Sequence, residues 1–313
     1  MTRVYPRPLT TGDTVAIVSP ASTPRHEAID RAVSRLDELG LKTKTYGDLY
    51  RSFGYLAGTD AVRATELQTA LADPEVAAVL PTRGGYGISR IVDRLDLGAI
   101  AKQPKIVAGF SDLTALHLAL QAKTQLVTYH SPNLQDGLGA EAGLDELSLE
   151  SYRHALFGAR RYEVASNDRL AALGLPAMTP IRAGRVTAEV VGGNVAVLCA
   201  LTGTPFEVQT TDRILLLEDT GEAPYRIDRW LSQLRLAGKL SGLAGVLLGQ
   251  FTDCRPIDDK PSLTLDEIWD QYFGELGVPV LAGFPCGHGR PNVTLPIGGM
   301  IELDADRCAV RVV

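Results

Sequence analysis

Four short segments carry residues that could do chemistry, and each follows an apolar run typical of a buried strand. They are TRGGYG at 82–87, Ser111-Asp112, Glu218-Asp219 and CGHG at 286–289. Ligands bind beyond the carboxyl ends of parallel strands, so these segments are the first candidates for a site. Between them they offer a hydroxyl, a carboxylate and an imidazole, the groups of a Ser-His-acid triad.

Ser111 lies between an apolar run and a helical pattern, in KIVAGFSDLTALHLAL. Gly109 eases a tight turn before it, and a following helix N-terminus would supply amides for a developing oxyanion. The segment is not G-x-S-x-G, because residue 113 is Leu. Serine is also a preferred helix N-cap, and this segment taken alone favours that structural role.

The glycine-rich loop at 83–87 lets backbone amides approach an anion or a carbonyl oxygen closely. It lacks the Lys-Ser/Thr pair of a Walker A motif and the spacing of G-x-G-x-x-G, which disfavours a nucleotide-phosphate site. Paired glycines also serve plain tight turns. Arg83 beside Gly84 and Gly85 favours recognition of a carboxylate or a role in shaping an oxyanion site.

The candidate acid is Glu218, although an acidic residue there would also suit the start of a helix, and Glu222 is a further candidate. Only two of the five histidines, His130 and His288, follow predicted strands. His288 lies between two glycines and has the conformational freedom to reach a site, so it is the preferred base and His130 its rival.

Other chemistries are less favoured. His117 lies in an apolar helical pattern, where a packed imidazole is expected. Cys286 is only two residues from His288 and no helix start follows it, which disfavours it as a nucleophile. There is no H-E-x-x-H, and His, Asp and Glu do not cluster at ligand spacing, so we expect neither a metal nor another cofactor.

The elements that must position these residues alternate between strands and helices. In the first half, the pairs of strand and helix are Thr14–Ser19 with His26–Leu39, Val76–Pro81 with Tyr86–Leu95, and Lys105–Phe110 with Leu113–Ala122, followed by a strand at Leu126–Tyr129. This rhythm predicts parallel βαβ crossovers, and hence an α/β fold. The second half continues it, with strands at Arg185–Val191, Arg213–Leu217 and Val246–Phe251, helices at Asn194–Leu201 and Arg226–Ala237, and a final hairpin around Asp304 to Asp306.

Between the halves the pattern weakens, with one helix expected near Leu144–Leu156. We therefore predict an N-terminal α/β domain at 1–140 that carries the nucleophile, an interdomain connection at 141–180, and a C-terminal domain at 181–313 that carries the Glu and the His. A length of 313 residues allows two such domains.

Composition limits the partners and the compartment. A net charge of −6 without a basic run argues against nucleic acid and anionic membranes. No signal sequence is visible, and the longest apolar runs fall far short of the ~20 residues that span a bilayer. Four scattered cysteines fit a reducing compartment, so we predict a cytoplasmic globular protein.

Taken together, the motifs resemble the LD-carboxypeptidase family, serine peptidases that include the microcin-immunity hydrolases. Each motif alone is weak, but six in the same order over nearly the whole chain are specific. They are VAIVSPAS, PTRGGYGISRIVDRLD, KIVAGFSDLTALHLAL, VVGGNVAVLCALTGTPFE, ILLLEDTGEAPYRIDRWLSQLRLAG and FPCGHGRPNVTLPIG.

The resemblance implies that Ser111 is the nucleophile, His288 the general base and Glu218 its orienting carboxylate. It implies an oxyanion hole formed by the amide of Asp112 and an amide of the Gly84-Gly85 turn. Arg83 is then the nearest candidate to bind a substrate carboxylate, with Tyr86 beside it in the same loop. Two positions depart from the family pattern, Phe110 where Tyr is frequent and Ser131 where Gly is frequent.

The implied fold has an N-terminal parallel-sheet domain similar to glutamine amidotransferases and a C-terminal α/β domain with a swivelling β layer, usually in a homodimer. The implied reaction is hydrolysis of the amide before a C-terminal D-amino acid, such as D-alanine of a cytoplasmic murein tetrapeptide during cell-wall recycling. The expected partner is thus a small peptide.

Two alternatives stay open. Hydrolysis of an aminoacyl-nucleotide antibiotic would need an aromatic platform for the base, and Glu163–Val191 contains no Phe, Trp or Tyr, although Tyr162 lies just outside it. A non-catalytic small-ligand binder could share the fold, but the presence of Ser111, Glu218 and His288 counts against it.

Overall fold

The strands form two separate sheets, most of them built from apolar runs, in the computed structural model, which describes residues 3–158, 161–257 and 261–313. The chain divides into two units: Met1–Ala159 with Thr294–Gly298, and Arg160–Val293 with Gly299–Val313.

The sheet of the first unit has six strands in the order β12-β5-β4-β3-β1-β2. These are β1 (Thr14–Val18), β2 (Lys42–Thr45), β3 (Val76–Pro81), β4 (Ile106–Gly109), β5 (Thr128–His130) and β12 (Leu295–Ile297). The first five are parallel, and β12 is an antiparallel edge strand beside β5. The helices are α1 (His26–Glu38), α2 (Asp60–Ala72), α3 (Leu97–Ala101), α4 (Thr114–Thr124) and α5 (Glu146–Phe157).

Helix α1 illustrates how periodicity sets an element. Its buried residues, Ala28, Ile29, Ala32 and Leu36, recur at three- and four-residue spacing, so one face packs inward. The helix ends before Gly40, whose φ of +77° suits a residue without a side chain.

The sheet of the second unit has eight strands in the order β6-β14-β13-β8-β9-β10-β11-β7. They are β6 (Tyr162–Ser166), β7 (Thr179–Arg182), β8 (Arg185–Asn194), β9 (Ile214–Thr220), β10 (Gly245–Thr252), β11 (Val280–Ala282), β13 (Met300–Asp304) and β14 (Ala309–Val312). Strands β8 to β11 are parallel, and the flanking strands are antiparallel. The helices are α6 (Asn167–Ala172), α7 (Val195–Leu201), α8 (Pro224–Leu236) and α9 (Leu265–Phe273).

The predicted α/β class is confirmed, and most predicted elements lie within a few residues of the observed ones. One prediction is wrong: Tyr86–Leu95 is not an α-helix but two short 3₁₀ turns, Ile88–Arg90 and Val92–Arg94. Gly85 and Gly87 have φ of +115° and +126°, so the backbone leaves the helical region just where a helix would have to begin.

The segment 141–180 is divided between the units and is not a plain connection. It contains α5, whose side chains pack into the first unit, and then β6 and α6 of the second. The second difference from the predicted boundaries is Thr294–Gly298, which returns to the first unit because β12 pairs with β5 there.

Candidate active site

Ser111 occupies a strained turn directly after β4. Its φ is +67°, in the left-handed region that non-glycine residues rarely adopt. It opens a 3₁₀ turn, Ser111–Leu113, that precedes α4, and its side chain caps neither the turn nor the helix. The N-cap role that the segment alone favoured is therefore wrong, and the turn has the geometry of a nucleophile elbow.

The glycine loop approaches this serine closely. A Cβ at Gly84 would lie 2.8 Å from the Ser111 Cβ and 2.9 Å from its Oγ, distances that only a glycine avoids. At Gly85, a Cβ would overlap the Ser22 hydroxyl. The backbone of Gly84 therefore lies directly beside the Ser111 side chain.

In the second unit, the buried Glu218 lies against the partly exposed His288. Glu218 Oε2 lies 2.7 Å from His288 Nδ1, and the side chains are 0% and 18% exposed. A carboxylate can only accept, so Nδ1 carries the hydrogen, and the neutral form of this imidazole then has its lone pair on Nε2, as a general base needs. Glu218 lies within β9 and not after it, because β8 and β10 pair with the strand on both sides.

The loop that carries His288 is held by two amide side chains. Gly289 N–H donates to Gln250 Oε1 at 2.9 Å, and Gly287 N–H donates to Asn292 Oδ1 at 3.0 Å. A Cβ at Gly287 would lie 2.9 Å from the carboxylate oxygen Glu218 Oε2. Sequence reasoning missed Gln250 and Asn292, since a lone amide residue has no distinctive spacing.

Asp219 next to Glu218 is also buried, and it accepts hydrogen bonds from Asn194 Nδ2 and from the backbone N–H of Ala196 and Thr220. Burial, reinforced by the Glu218 charge, raises the pKa of Asp219 to about 6. The sequence placed both acids at the strand end, and the contacts separate their roles: Glu218 meets the imidazole, and Asp219 meets backbone amides.

Arg83 and Tyr86 flank the paired glycines. The Arg83 guanidinium is half-buried and makes one long hydrogen bond, Nη1 to Thr23 O at 3.4 Å. Tyr86 is 45% exposed and packs edge-on against Tyr55, with ring centroids 5.6 Å apart. Both side chains are thus at least partly exposed to solvent.

The other candidate residues from the sequence are packed or paired in ways that indicate structural roles. His117 is fully buried, its Nε2 lies 2.8 Å from Gly109 O, and burial lowers its pKa to about 4, so it is packed as predicted. His130 is buried within β5 and packs against the Phe110 ring at 5.7 Å. Burial raises the pKa of the Cys286 thiol well above its usual value, which opposes a thiolate nucleophile, and Glu222 pairs with Arg226 at 3.0 Å.

The structure brings Ser111 and Gly84 together in the first unit, and Glu218 and His288 together in the second. In the described ranges 3–158, 161–257 and 261–313, His, Cys, Asp and Glu do not gather in threes that could hold a metal ion. Over the same residues, every helix is too short or too polar to cross a membrane.

Both halves of the chain match domains of one known family. Residues 15–131 match the LD-carboxypeptidase N-terminal domain, and residues 187–303 match the LD-carboxypeptidase C-terminal domain. The chain belongs to the LD-carboxypeptidase family. The resemblance noted from its motifs is thus confirmed, and so is the predicted enzyme class, a carboxypeptidase.

Several named proteins are similar to this LD-carboxypeptidase over almost their whole length. The probable murein peptide carboxypeptidase of Bacillus subtilis is 39% identical, over 97% of this chain and 93% of its own. The murein tetrapeptide carboxypeptidase of Pseudomonas aeruginosa is 31% identical, over 94% of each chain. The microcin C7 self-immunity protein MccF of Escherichia coli is 29% identical, over 96% of this chain and 92% of its own.

Solved structures show the same two-domain fold. An MccF-like protein from Bacillus anthracis is 26% identical with a TM-score of 0.88, covering 99% of both chains. The muramoyltetrapeptide carboxypeptidase from Oxalobacter formigenes is 25% identical with a TM-score of 0.82, covering 95% of this chain and 97% of its own.

Proposed function

We propose that this LD-carboxypeptidase removes the C-terminal D-amino acid of a murein peptide, such as the D-alanine of a tetrapeptide, by serine catalysis. The observation that carries the proposal is the Glu218–His288 pair, in which a buried carboxylate lies 2.7 Å from the imidazole Nδ1 and orients the ring as in a catalytic triad. The names of the B. subtilis and P. aeruginosa relatives support the substrate class.

In the proposed mechanism, His288 Nε2 accepts the proton of Ser111 Oγ as Oγ attacks the carbonyl carbon of the scissile amide. The amide of Asp112 and an amide of the Gly84-Gly85 turn bind the oxyanion. Collapse breaks the C–N bond, and the imidazolium returns its proton to the leaving amine. Water activated by His288 then hydrolyses the acyl-enzyme, while Glu218 stabilises the imidazolium in both steps.

We assign Arg83 to the terminal carboxylate of the substrate and Tyr86 to contact with the peptide. A guanidinium binds a carboxylate in a bidentate manner. Among the described residues the Arg83 head group has one long hydrogen bond, which leaves it available for such a partner. This contact would restrict the enzyme to chain ends.

The decisive test follows D-alanine release from an L,D-terminated tetrapeptide, with an L,L-terminated peptide as the control substrate. Because Ser111 and His288 act as a unit, Ser111→Ala and His288→Ala should each lower kcat by about 10³-fold or more. His130→Ala should stay active. Wild-type protein that releases no D-alanine contradicts the function, and a fully active Ser111→Ala contradicts the nucleophile.

The second candidate is hydrolysis of an aminoacyl nucleotide, favoured by the likeness to the E. coli self-immunity protein. Tyr162 is half-buried at the start of β6, beside a stretch without aromatic residues. A competition between the tetrapeptide and an aminoacyl sulfamoyl adenosine separates the two functions, since the better substrate has the higher kcat/KM. Tight binding of either compound without turnover would instead favour the non-catalytic binder.

We further infer a cytoplasmic homodimer whose partner is a small peptide, without nucleic-acid or membrane partners. All four cysteines are buried thiols outside any disulfide, which suits a reducing compartment. The net charge of −6 disfavours polyanions. Light scattering should give twice the chain mass of 33.5 kDa. A mass of one chain at micromolar concentration would contradict the dimer.

A further inference from the structure

Asp112 has a second feature besides its backbone amide: its carboxylate bridges two loops of the first unit. The residue is 3% exposed, and Oδ2 accepts a hydrogen bond from the Ile88 N–H at 2.8 Å. Ile88 directly follows the glycine loop, whereas Asp112 directly follows Ser111. One side chain thus links the turn of the proposed nucleophile to the loop that would complete the oxyanion hole.

A buried arginine holds the same loop through its preceding residue. Arg63 is 0% exposed; its Nη1 donates to Gly87 O at 2.9 Å and its Nε to Gly58 O at 3.1 Å. A Cβ at Gly87 would lie 2.7 Å from Arg63 Nη1, so the guanidinium fits this loop only with glycine there. The carbonyl of Gly87 and the N–H of Ile88, which belong to one peptide unit, are therefore anchored separately.

Such anchoring matters because the loop has three glycines, at 84, 85 and 87, and glycine has the largest backbone freedom of any residue. Oxyanion donors are effective only about 2.7–3.1 Å from the developing charge. A loop of this composition needs an external restraint to hold its amides at that distance from the attacking hydroxyl.

We propose that the Asp112 side chain is a positioning residue, which holds the loop from Gly84 to Ile88 against the Ser111 turn and so fixes the spacing of the two oxyanion amides. The inference rests on the proposed function for its catalytic consequence. The link itself stands on the contact between Asp112 and Ile88. Burial raises the pKa of Asp112 to about 6. The hydrogen bond from Ile88 and the positive charge of Arg63 both oppose this rise.

The test compares Asp112→Ala with Asp112→Asn on the L,D-terminated tetrapeptide. Loss of the acceptor should lower kcat by about 10- to 100-fold with KM within twofold, because oxyanion contacts act mainly in the transition state. Asparagine keeps an oxygen that can accept from Ile88 and should restore most of kcat. Asp93→Ala, which removes an exposed carboxylate from the neighbouring 3₁₀ turn, is the matched control and should keep wild-type kcat.

Hydrogen exchange at the Ile88 amide tests the link without any activity. Exchange should be faster in Asp112→Ala and close to wild type in Asp112→Asn. Asp112→Ser, too short to reach Ile88, replaces the alanine variant if that protein does not fold.

An inactive wild type would contradict the proposed function and leave the exchange experiment to decide the link. An active wild type with undiminished kcat in Asp112→Ala would overturn the positioning role. Unchanged Ile88 exchange in that variant would overturn it as well.

Discussion

At the scale of single residues, Ser111 holds a left-handed conformation that costs about 1–3 kcal/mol. Such strain persists only when the surroundings impose it. Here α4 follows directly, and Gly84 packs against the serine on the side where any other residue would collide. The strained turn holds Ser111 at the carboxyl end of β4, which is where ligands bind in parallel sheets.

Gly84→Ala should lower kcat by about 10²-fold while the protein remains folded. The new methyl group would meet Ser111 at 2.8–2.9 Å and displace either the hydroxyl or the loop, and a misplacement of about 1 Å can cost that much. Steady-state kinetics with the tetrapeptide measure the effect. Gly98→Ala in α3, where the nearest atom is an Asp96 oxygen at 3.5 Å, is the control and should be fully active. Equal kcat in Gly84→Ala and Gly98→Ala would show that Gly84 has no role in the active site.

His117 should make the free energy of unfolding depend on pH. Its pKa falls from an ordinary 6.5 to about 4 in the folded protein, so its contribution is present above pH 6.5 and is lost as the pH falls towards 4. Urea unfolding measures the difference in free energy of unfolding between wild type and His117→Gln. This difference should become about 2 kcal/mol less favourable to wild type when the pH is lowered from 7.5 to 5.

Two buried carboxyl groups change the free energy of unfolding with pH in the opposite direction, and the comparison with His117→Gln cancels their contributions. The pKa values of Asp112 and Asp219 are raised to about 6, so their contributions are present below pH 3.8 and are lost as the pH rises through 6. Both proteins contain them, and they cancel in the difference. A difference that does not change with pH would show that His117 is not desolvated.

At the scale of elements, continuous apolar runs were the most predictable part of the fold. Strands β1 and β3 and the ILLL run at the start of β9 are buried on both faces. Their sequences are almost entirely apolar, so they can be recognised without tertiary context. Strand β2, with the sequence KTKT, is an exposed edge, and nothing in its composition marks it. Strands β6 and β7 are also edge strands of their sheet, and the sequence analysis missed both inside or beside the predicted connection.

The N-cap residue of α7 also contacts the neighbour of Glu218, so it affects both the stability of the helix and the proposed site. Asn194 caps the helix through Val197 N–H and donates to Asp219, and Asp219 in turn accepts from Ala196 N–H. Asn194→Ala should lower the free energy of unfolding by about 1–3 kcal/mol. It should also reduce kcat, because Glu218 adjoins Asp219.

Thr264→Ala, in the capping box of α9, is the matched cap variant. It should cost about 1 kcal/mol and leave kcat unchanged, since its contacts are with Glu267. If both cap variants lose stability and neither loses activity, α7 has no part in positioning Glu218.

At the scale of the whole molecule, the chain returns to its first sheet after most of the second unit is complete. Leu295 and Ile297 of β12 are fully buried, and Thr294 Oγ1 lies 3.0 Å from Ser131 Oγ. Ser131 therefore takes part in anchoring the returning segment. The first unit is completed by residues far away in sequence.

A fragment of residues 1–158 should be less stable than the same fragment with residues 292–299 joined by a flexible linker. Burial of two aliphatic side chains is worth about 3–6 kcal/mol, and the added strand also pairs the free edge of β5. Thermal and urea unfolding measure the difference. The joined segment with Leu295→Asn and Ile297→Asn is the control, and a gain that survives in it would not come from β12.

The sequence alone determined the α/β class, most strand and helix positions, and the short list of groups that could do chemistry, because apolar periodicity and residue type are local properties. The order of motifs also determined the family. Only the tertiary structure decided that Ser111 is strained and not a cap, that Glu218 and not Asp219 meets His288, and that Asp112 reaches Ile88. These contacts join residues 24 to 70 positions apart. A hydrogen bond across such a separation depends on the register of whole strands, which no local pattern encodes.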